Sequence, residues 1–184
     1  MSERKISTKS IVSCALLAAL SIVMARWLCF ATPNGVRWSA DKFPLFLAGL
    51  LFGPVLGGLT GFTADFLGSL MQFGFNPLLC PPAIMYGVFG GLLRRFIRKN
   101  PSILRLAISY LLPVVLGSIL YQSVTLAYIY FDGTLWAGFL YYAGTRTIQF
   151  SIMLAVEVAI IYLLLRAKVF TRMGLWNPGK EREA

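Results

Sequence analysis

The stretch FPLFLAGLLFGPVLGGLTGFTADFLGSLM, residues Phe43–Met71, decides the fold. Its one charged residue is Asp65, and most other side chains are apolar or small. Such a run is typical of membrane-spanning helices, which need about 20 apolar residues each. Phe43–Gly53 alone would give only about 17 Å of helix at 1.5 Å per residue. We therefore expect the second span to extend back toward Trp38.

Outward from this stretch, the whole chain has the composition of a membrane protein. Of its 184 residues, 58% are apolar and 13% are charged, and the mean hydropathy is +0.73. Soluble domains are about 45–50% apolar and about 25% charged, so a water-soluble globular enzyme is excluded. We predict an all-α integral membrane protein with a single transmembrane domain over residues 1–184. Its six spans are expected at about 10–31, 39–53, 55–72, 80–93, 103–130 and 142–165.

The first apolar run has two interpretations. It could be a signal peptide, because Val23-Met24-Ala25 is a tolerable cleavage site. The run is longer than the apolar core of a typical signal peptide and continues past Arg26. These features favour an uncleaved helix.

The basic residues are concentrated in segments that we expect on one side of the membrane. The chain carries 17 Lys and Arg against 7 Asp and Glu, a net charge of +10. With six spans and a cytoplasmic N-terminus, segments 1–9, 94–105 and 166–182 are cytoplasmic and hold 3, 5 and 5 basic residues. The expected outer loops hold only Arg37 and Lys42. This asymmetry is typical of membrane orientation and predicts cytoplasmic termini and no nucleic-acid partner. A re-entrant second run would place 94–105 outside, against this rule.

Several motifs that catalysis or metal binding would need do not occur in the sequence. There is no histidine, and Cys14, Cys29 and Cys80 show no Cys-x-x-Cys spacing. Neither a metal site nor a disulfide framework is therefore expected. No G-x-x-x-x-G-K-[ST] loop and no G-x-S-x-G elbow occur. We expect no cofactor and no ATP hydrolysis by this chain. A membrane enzyme that uses only the carboxylates Asp65 and Glu157 is one alternative.

Four charged residues lie within the expected spans, and each costs about 2.5–3.5 kcal/mol at a helix centre on insertion scales. Arg26, Asp65 and Arg146 share one depth, just beneath the expected outer loops. One interpretation is that the arginines snorkel to the interface and one of them pairs with Asp65. The other is a polar pocket open to the outside. Glu157 lies about four turns into the last span, and the sequence assigns it no role.

Aromatic and amide side chains at the same level favour the pocket. Arg146 and Gln149 share a helix face at i, i+3 spacing. Asp65 can accept two N–H groups from an aminopyrimidine-like ring, and Trp38 and Phe73 offer flat faces for stacking. Basic residues outnumber acidic ones here, which favours an anionic, aromatic ligand. The candidate binding residues are Arg26, Arg37, Trp38, Lys42, Asp65, Phe73, Asn76, Tyr121, Arg146 and Gln149.

The first span also carries a pair of small residues, Ala15 and Ala19, on one helix face. Such small-xxx-small pairs let another helix approach closely. Packing within the chain is the alternative explanation for this pair.

The quoted stretch resembles the substrate-binding S components of energy-coupling factor (ECF) vitamin transporters. An Arg-containing loop precedes it and FGFNPLLCPP, residues 73–82, follows it. Residues 49–68, GLLFGPVLGGLTGFTADFLG, are most similar to the folate-specific S component. The second loop departs from the Gly- and Tyr-rich run usual in folate-type proteins, which bears on ring recognition.

The resemblance implies a six-helix fold and a division of labour. An S component captures a vitamin from outside and docks on a shared membrane subunit that carries two cytoplasmic ATPases. By resemblance, Ala15 and Ala19 form the docking surface, and loops 32–42 and 72–82 cover the pocket. The chain would then be a multi-pass protein of a prokaryotic plasma membrane, in contact with lipid, and not an enzyme.

Folate fits the resemblance and the pocket, since its pterin is aromatic and its glutamate carries two carboxylates. The alternatives are another vitamin such as riboflavin or thiamine, a small membrane enzyme, and a self-contained channel or carrier.

Overall fold

The structure is a computed structural model and describes residues 7–31, 37–71, 74–99, 102–167, 169–172 and 174–175. Over these residues the chain is helical apart from one short β-ladder. Its elements are α1 (Thr8–Arg26), β1 (Phe30–Ala31), β2 (Arg37–Trp38), α2 (Phe43–Phe52), α3 (Pro54–Leu70), a 3-10 turn (Pro77–Leu79), α4 (Pro81–Leu92), α5 (Arg94–Lys99), α6 (Ile103–Pro113), a π-helical segment (Val114–Tyr121), α7 (Gln122–Tyr130), α8 (Leu135–Arg166) and α9 (Val169–Arg172).

Three helices among the described residues are long and apolar enough to cross a membrane: Thr8–Arg26, Ile103–Tyr130 and Leu135–Arg166, with 19, 28 and 32 residues. The second of these combines α6, the π-helical segment and α7. Shorter apolar helices cover Phe43–Phe52 and Pro77–Leu92. An all-helical membrane protein is therefore the observed fold class.

Helix α2 lies at the centre of the molecule. Every one of its residues except Phe52 is buried, and it packs on α1, α3 and α4. A helix that is apolar all round is either buried within the protein or faces lipid, and here the protein buries it. Its ten residues span about 15 Å at 1.5 Å per residue, half of a hydrocarbon core of about 30 Å.

Glycines allow α2, α3 and α4 to approach backbone to backbone. A Cβ atom added at Gly49 would collide with the carbonyl oxygen of Gly87, and one added at Gly87 would collide with that of Gly57. Any larger side chain would force these helices apart. This sequence therefore builds a tightly packed three-helix unit, against which α1 and α8 are arranged.

The second span differs from the expected extended helix. Trp38 instead pairs with Phe30 in an antiparallel ladder, and the following residues Ser39–Lys42 are not helical. Non-helical backbone at membrane depth is tolerated where protein buries it or where it lines a cavity. Both conditions are met here, as the contacts of Asp41 and Lys42 show below.

Other helix limits also differ from the expected spans. The first helix ends at Arg26, five residues earlier than expected, where the Trp27 N–H donates to the Val23 carbonyl (2.8 Å). The last helix begins at Leu135 and not at residue 142, because Thr134 provides an N-cap: its Oγ1 accepts the Ala137 N–H (3.4 Å). The loop between the last two spans is correspondingly shorter.

Candidate functional site

A cavity of about 580 Å³ lies between α1, α3, α7 and α8, with Ser39–Lys42 in its wall. Ligand pockets for molecules of vitamin size are about 300–1,000 Å³. Its polar and aromatic lining consists of Ser21, Arg26, Ser39, Asp41, Lys42, Asp65, Gln122, Tyr141, Tyr142, Thr145, Arg146, Gln149 and Phe150. Charged groups of both signs therefore face a single space.

Half of the expected binding residues line this cavity: Arg26, Lys42, Asp65, Arg146 and Gln149. They come from α1, the start of α2, α3 and α8. The structure brings their side chains to one cavity although Arg26 and Gln149 are far apart in the sequence. The packing of α1, α3 and α8 and the non-helical residues before α2 bring these side chains together.

Three further expected residues, Trp38, Asn76 and Tyr121, are not in the lining. The Asn76 Oδ1 accepts the Leu78 N–H (3.0 Å) and caps the 3-10 turn, and Tyr121 ends the π-helical segment. Trp38 belongs to β2. Arg37 is described only as backbone of that strand, and Phe73 lies outside the described residues.

Arg146 is fixed by groups on two other segments. Its Nη1 donates to Gln122 Oε1 (3.0 Å) and to the Ser118 carbonyl (3.4 Å), and its guanidinium lies 5.7 Å from the Phe150 ring centroid. Ser118 is in the π-helical segment that follows Pro113. Proline lacks the N–H that an α-helix would use, and π turns are frequent at functional sites. These contacts hold the guanidinium at the cavity wall.

Asp65 and Arg26 occupy the wall that α1 and α3 form. The Asp65 Oδ2 is buried and has no hydrogen-bond partner among the described residues. One turn further along α3, Gly68 leaves room for Arg26: a Cβ there would lie 3.3 Å from the Arg26 Nη2. This wall thus offers a carboxylate acceptor and a cation next to each other.

Asp41 and Lys42 form an ion pair at the base of the cavity. The Lys42 Nζ lies 2.7 Å from the Asp41 Oδ2, and the Ser39 Oγ donates to Asp41 Oδ1 (2.6 Å). The Ser21 Oγ of α1 donates to the Asp41 carbonyl (2.7 Å). The charge of Lys42 is thus partly balanced before any ligand arrives.

Comparison with known proteins identifies the family. The family model of the ECF-type riboflavin transporter S component matches residues 5–170.

The chain belongs to this family.

The predicted relationship to ECF S components is thereby confirmed, and the family is one of transporter subunits and not of enzymes.

Two relatives of this S component carry folate in their descriptions. The Folate transporter FolT of Clostridium novyi (strain NT) is 30% identical over 118 residues, which are 61% of this chain and 64% of that protein. The match therefore spans less than two thirds of the Clostridium novyi protein. A crystal structure of FolT bound with folic acid superposes with a TM-score of 0.69 and 26% identity, covering 86% of this chain and 93% of that one.

The expected docking residues of this S component lie on an open face of α1. Ala15 and Ala19 are exposed, and Leu16 between them is 66% exposed. The opposite face of α1 is buried through Cys14 and Ala18. The exposure of both alanines argues against packing of the pair within the described part of the chain.

Asp41 and Gln122 also line the cavity, although neither is among the ten candidate binding residues. The position of Asp41 depends on the non-helical segment Ser39–Lys42, in which the Asp41 carbonyl accepts the Ser21 hydroxyl. Gln122 and Leu126, four residues apart, both line the cavity, a spacing that indicates one helix face. Glu157 is conspicuous in the sequence because it is a charged residue within an apolar span. The sequence does not show which groups its carboxyl group contacts.

Proposed function

We propose that this S component captures folate from outside the cell and delivers it by docking on a shared ECF membrane subunit with two cytoplasmic ATPases. The observation that carries the proposal is the cavity, which is lined by three cationic residues and by Asp65. The described residues contain no group of three or more His, Cys, Asp or Glu that could hold a metal. The proposal needs neither a metal nor a cofactor.

The proposed topology is one transmembrane domain over residues 1–184 with six spans and cytoplasmic termini. The spans are α1, α2, α3, α4, α6 to α7, and α8. The concentration of basic residues in 1–9, 94–105 and 166–182 supports it. The membrane is then the plasma membrane of a prokaryote, and α2 is a short span shielded from lipid by its neighbours.

In this proposal the two ends of folate meet different groups. Asp65 accepts N–H groups of the pterin, as carboxylates do in bidentate contacts. Arg26 from α1 and Arg146 from α8 meet the glutamate carboxylates. Gln149 adds an amide at the same wall. The proposed further contacts are Arg37, Trp38, Phe73, Asn76 and Tyr121.

Riboflavin is the second candidate ligand, since the matching family is described by that vitamin. Riboflavin is neutral and has no carboxylate for the arginines. The folate descriptions of both relatives and the cationic wall together favour folate over riboflavin.

Titration of the detergent-purified chain tests this choice. Tryptophan fluorescence is followed while folate, pteroate, riboflavin, thiamine and biotin are added separately, with correction for ligand absorption. We expect saturable quenching by folate at the lowest concentrations. Binding of pteroate, which lacks the glutamate, should be weaker by about tenfold or more. Tighter binding of riboflavin than of folate would overturn the proposed ligand and leave the family unchanged.

A further inference from the structure

Glu157 lies within the last expected span, and the proposed function gives it no role. It is only 1% exposed and is not part of the cavity lining. A carboxylate within a membrane-spanning helix costs about 2.5–3.5 kcal/mol on insertion scales, so it persists where it has a task. Its contacts indicate what that task is.

Both oxygens of the Glu157 carboxyl group accept hydrogen bonds from other elements. Oε1 accepts the backbone N–H of Lys42 (3.2 Å), and Oε2 accepts the hydroxyl of Tyr110 (2.5 Å). Tyr110 is fully buried and packs edge-on against Phe46 with ring centroids 4.9 Å apart. The carboxyl group of Glu157 therefore joins α8 to α6 and to Lys42, the residue that precedes α2.

Lys42 needs such a partner because of where it lies. It is the N-cap of α2, and no side chain of the usual capping kind satisfies this helix start. The first backbone N–H groups of a helix have no partner within the helix. At membrane depth no water replaces them, and each group left unsatisfied costs several kcal/mol. Glu157 supplies an acceptor from a different helix.

The same backbone position carries the Lys42 side chain into the cavity. The Lys42 ammonium faces the ligand space and pairs with Asp41, whose carbonyl is held from the other side by Ser21. The peptide group between Asp41 and Lys42 is thus held at its carbonyl by α1 and at its N–H by α8. Loss of the α8 contact would leave this peptide group, which leads into the ammonium-bearing residue, held from α1 alone.

We infer that Glu157 is a positioning residue of the ligand site, which sets the place of the Lys42 ammonium by binding the Lys42 backbone N–H, without touching the ligand. The inference rests on the proposed function in that it takes the cavity as the vitamin site. It assigns to a buried carboxyl group in α8 an effect on ligand affinity that acts through α2.

Variants of the full chain in detergent test the inference. Glu157→Ala is expected to weaken folate binding by at least about tenfold. Glu157→Gln keeps an acceptor oxygen for the Lys42 N–H and should stay within about threefold of the parent. The matched control is Tyr86→Phe, which removes an equally buried hydroxyl bond, to Ser118 (2.9 Å), without contacting Lys42. It should bind folate like the parent.

A double-mutant cycle separates positioning from a general loss of stability. If Glu157 acts through Lys42, the effect of Glu157→Ala should fall to less than about threefold once Lys42→Ala is also present. Equal effects with and without Lys42→Ala would overturn the inference, as would parent-like affinity of Glu157→Ala.

Two further experiments separate a failure of this inference from a failure to purify the variant or from a wrong proposed ligand. Where Glu157→Ala gives no monodisperse protein, Tyr110→Phe replaces it: Lys42-dependent weakening supports the inference, and parent affinity overturns it. If the parent binds riboflavin in place of folate, the proposed ligand is wrong, and the same variants titrated with riboflavin still decide the role of Glu157.

Discussion

The cavity presents two carboxylates that are in opposite situations. Asp41 accepts bonds from Lys42 and Ser39 (2.7 and 2.6 Å), so its charge is compensated within the protein. The Asp65 Oδ2 is buried without a hydrogen bond among the described residues. A buried acceptor left unsatisfied costs about 1–3 kcal/mol. A ligand that donates an N–H to Asp65 recovers this cost, whereas one that approaches Asp41 must compete with its present partners.

Asp65→Asn and Arg26→Ala should each weaken folate binding by more than about tenfold, or about 1.4 kcal/mol. Asparagine replaces one acceptor oxygen by an N–H donor, which would face the donors of the pterin. Arg26→Ala removes a cation beside that acceptor. The dissociation constants, measured by tryptophan quenching, give the result.

Two substitutions of exposed residues on α3 and α8 serve as controls for these variants. Thr63→Val changes an exposed residue of α3 whose hydroxyl bonds only to its own helix, at Leu59. Arg166→Ala removes an exposed arginine at the other end of α8. Both should bind folate like the parent. Parent-like affinity of Asp65→Asn and Arg26→Ala would show that the ligand occupies another place.

At the residue scale, the sequence identifies cavity residues because a charged side chain within an apolar span costs free energy. Arg26, Asp65 and Arg146 stand out because a charge in an apolar span is expensive, and all three line the cavity. Trp38 and Asn76 carry no such cost in loops, and the structure shows them in a strand pair and a helix cap. Loop residues can serve local backbone structure or a ligand, and composition does not distinguish the two.

At the scale of elements, the close contact of α2, α3 and α4 depends on glycine. Gly87→Ala should lower the free energy of unfolding of the purified chain by about 1–3 kcal/mol, since the added methyl group would collide with the Gly57 carbonyl. A thermal unfolding measurement shows this as a lower melting temperature. Gly144→Ala is the matched control: Gly144 is also helical, but a Cβ there has open space. Alanine in a helix interior is more favourable than glycine by about 0.5–1 kcal/mol, so this control should gain stability. Equal thermal shifts in both variants would contradict the packing argument.

The sequence predicts which helices are present better than it predicts the residues at which they begin and end. Apolar runs identify each main helix, because their length and composition match a membrane span. The start of α8 was missed since Thr134, the cap, lies in a polar stretch that resembles a loop. The non-helical Ser39–Lys42 could not be foreseen, because it depends on acceptors and donors from Ser21 and Glu157, which are distant in the sequence.

At the scale of the whole molecule, α1 takes part in two surfaces. Its inner side contributes Ser21 and Arg26 to the cavity, and its outer side exposes Ala15 and Ala19. The two sets are separated along one helix by only a turn or two. A partner helix that packs on the alanine pair would therefore contact the same helix that forms one wall of the ligand site. The other side of α1 packs on α2 and α3 of the glycine-rich three-helix unit.

Ala15→Trp combined with Ala19→Trp should leave folate binding intact and abolish folate uptake in cells that contain the ECF module. The bulky rings would prevent the close helix approach that small residues allow, and both positions point away from the cavity lining. Gly144→Trp with Ile148→Trp is the matched control, since these residues have the same i, i+4 spacing on the exposed face of α8. Uptake should survive in that control. Normal uptake by the α1 variant at parental expression would place the docking surface elsewhere, and loss of binding would show that α1 shapes the cavity directly.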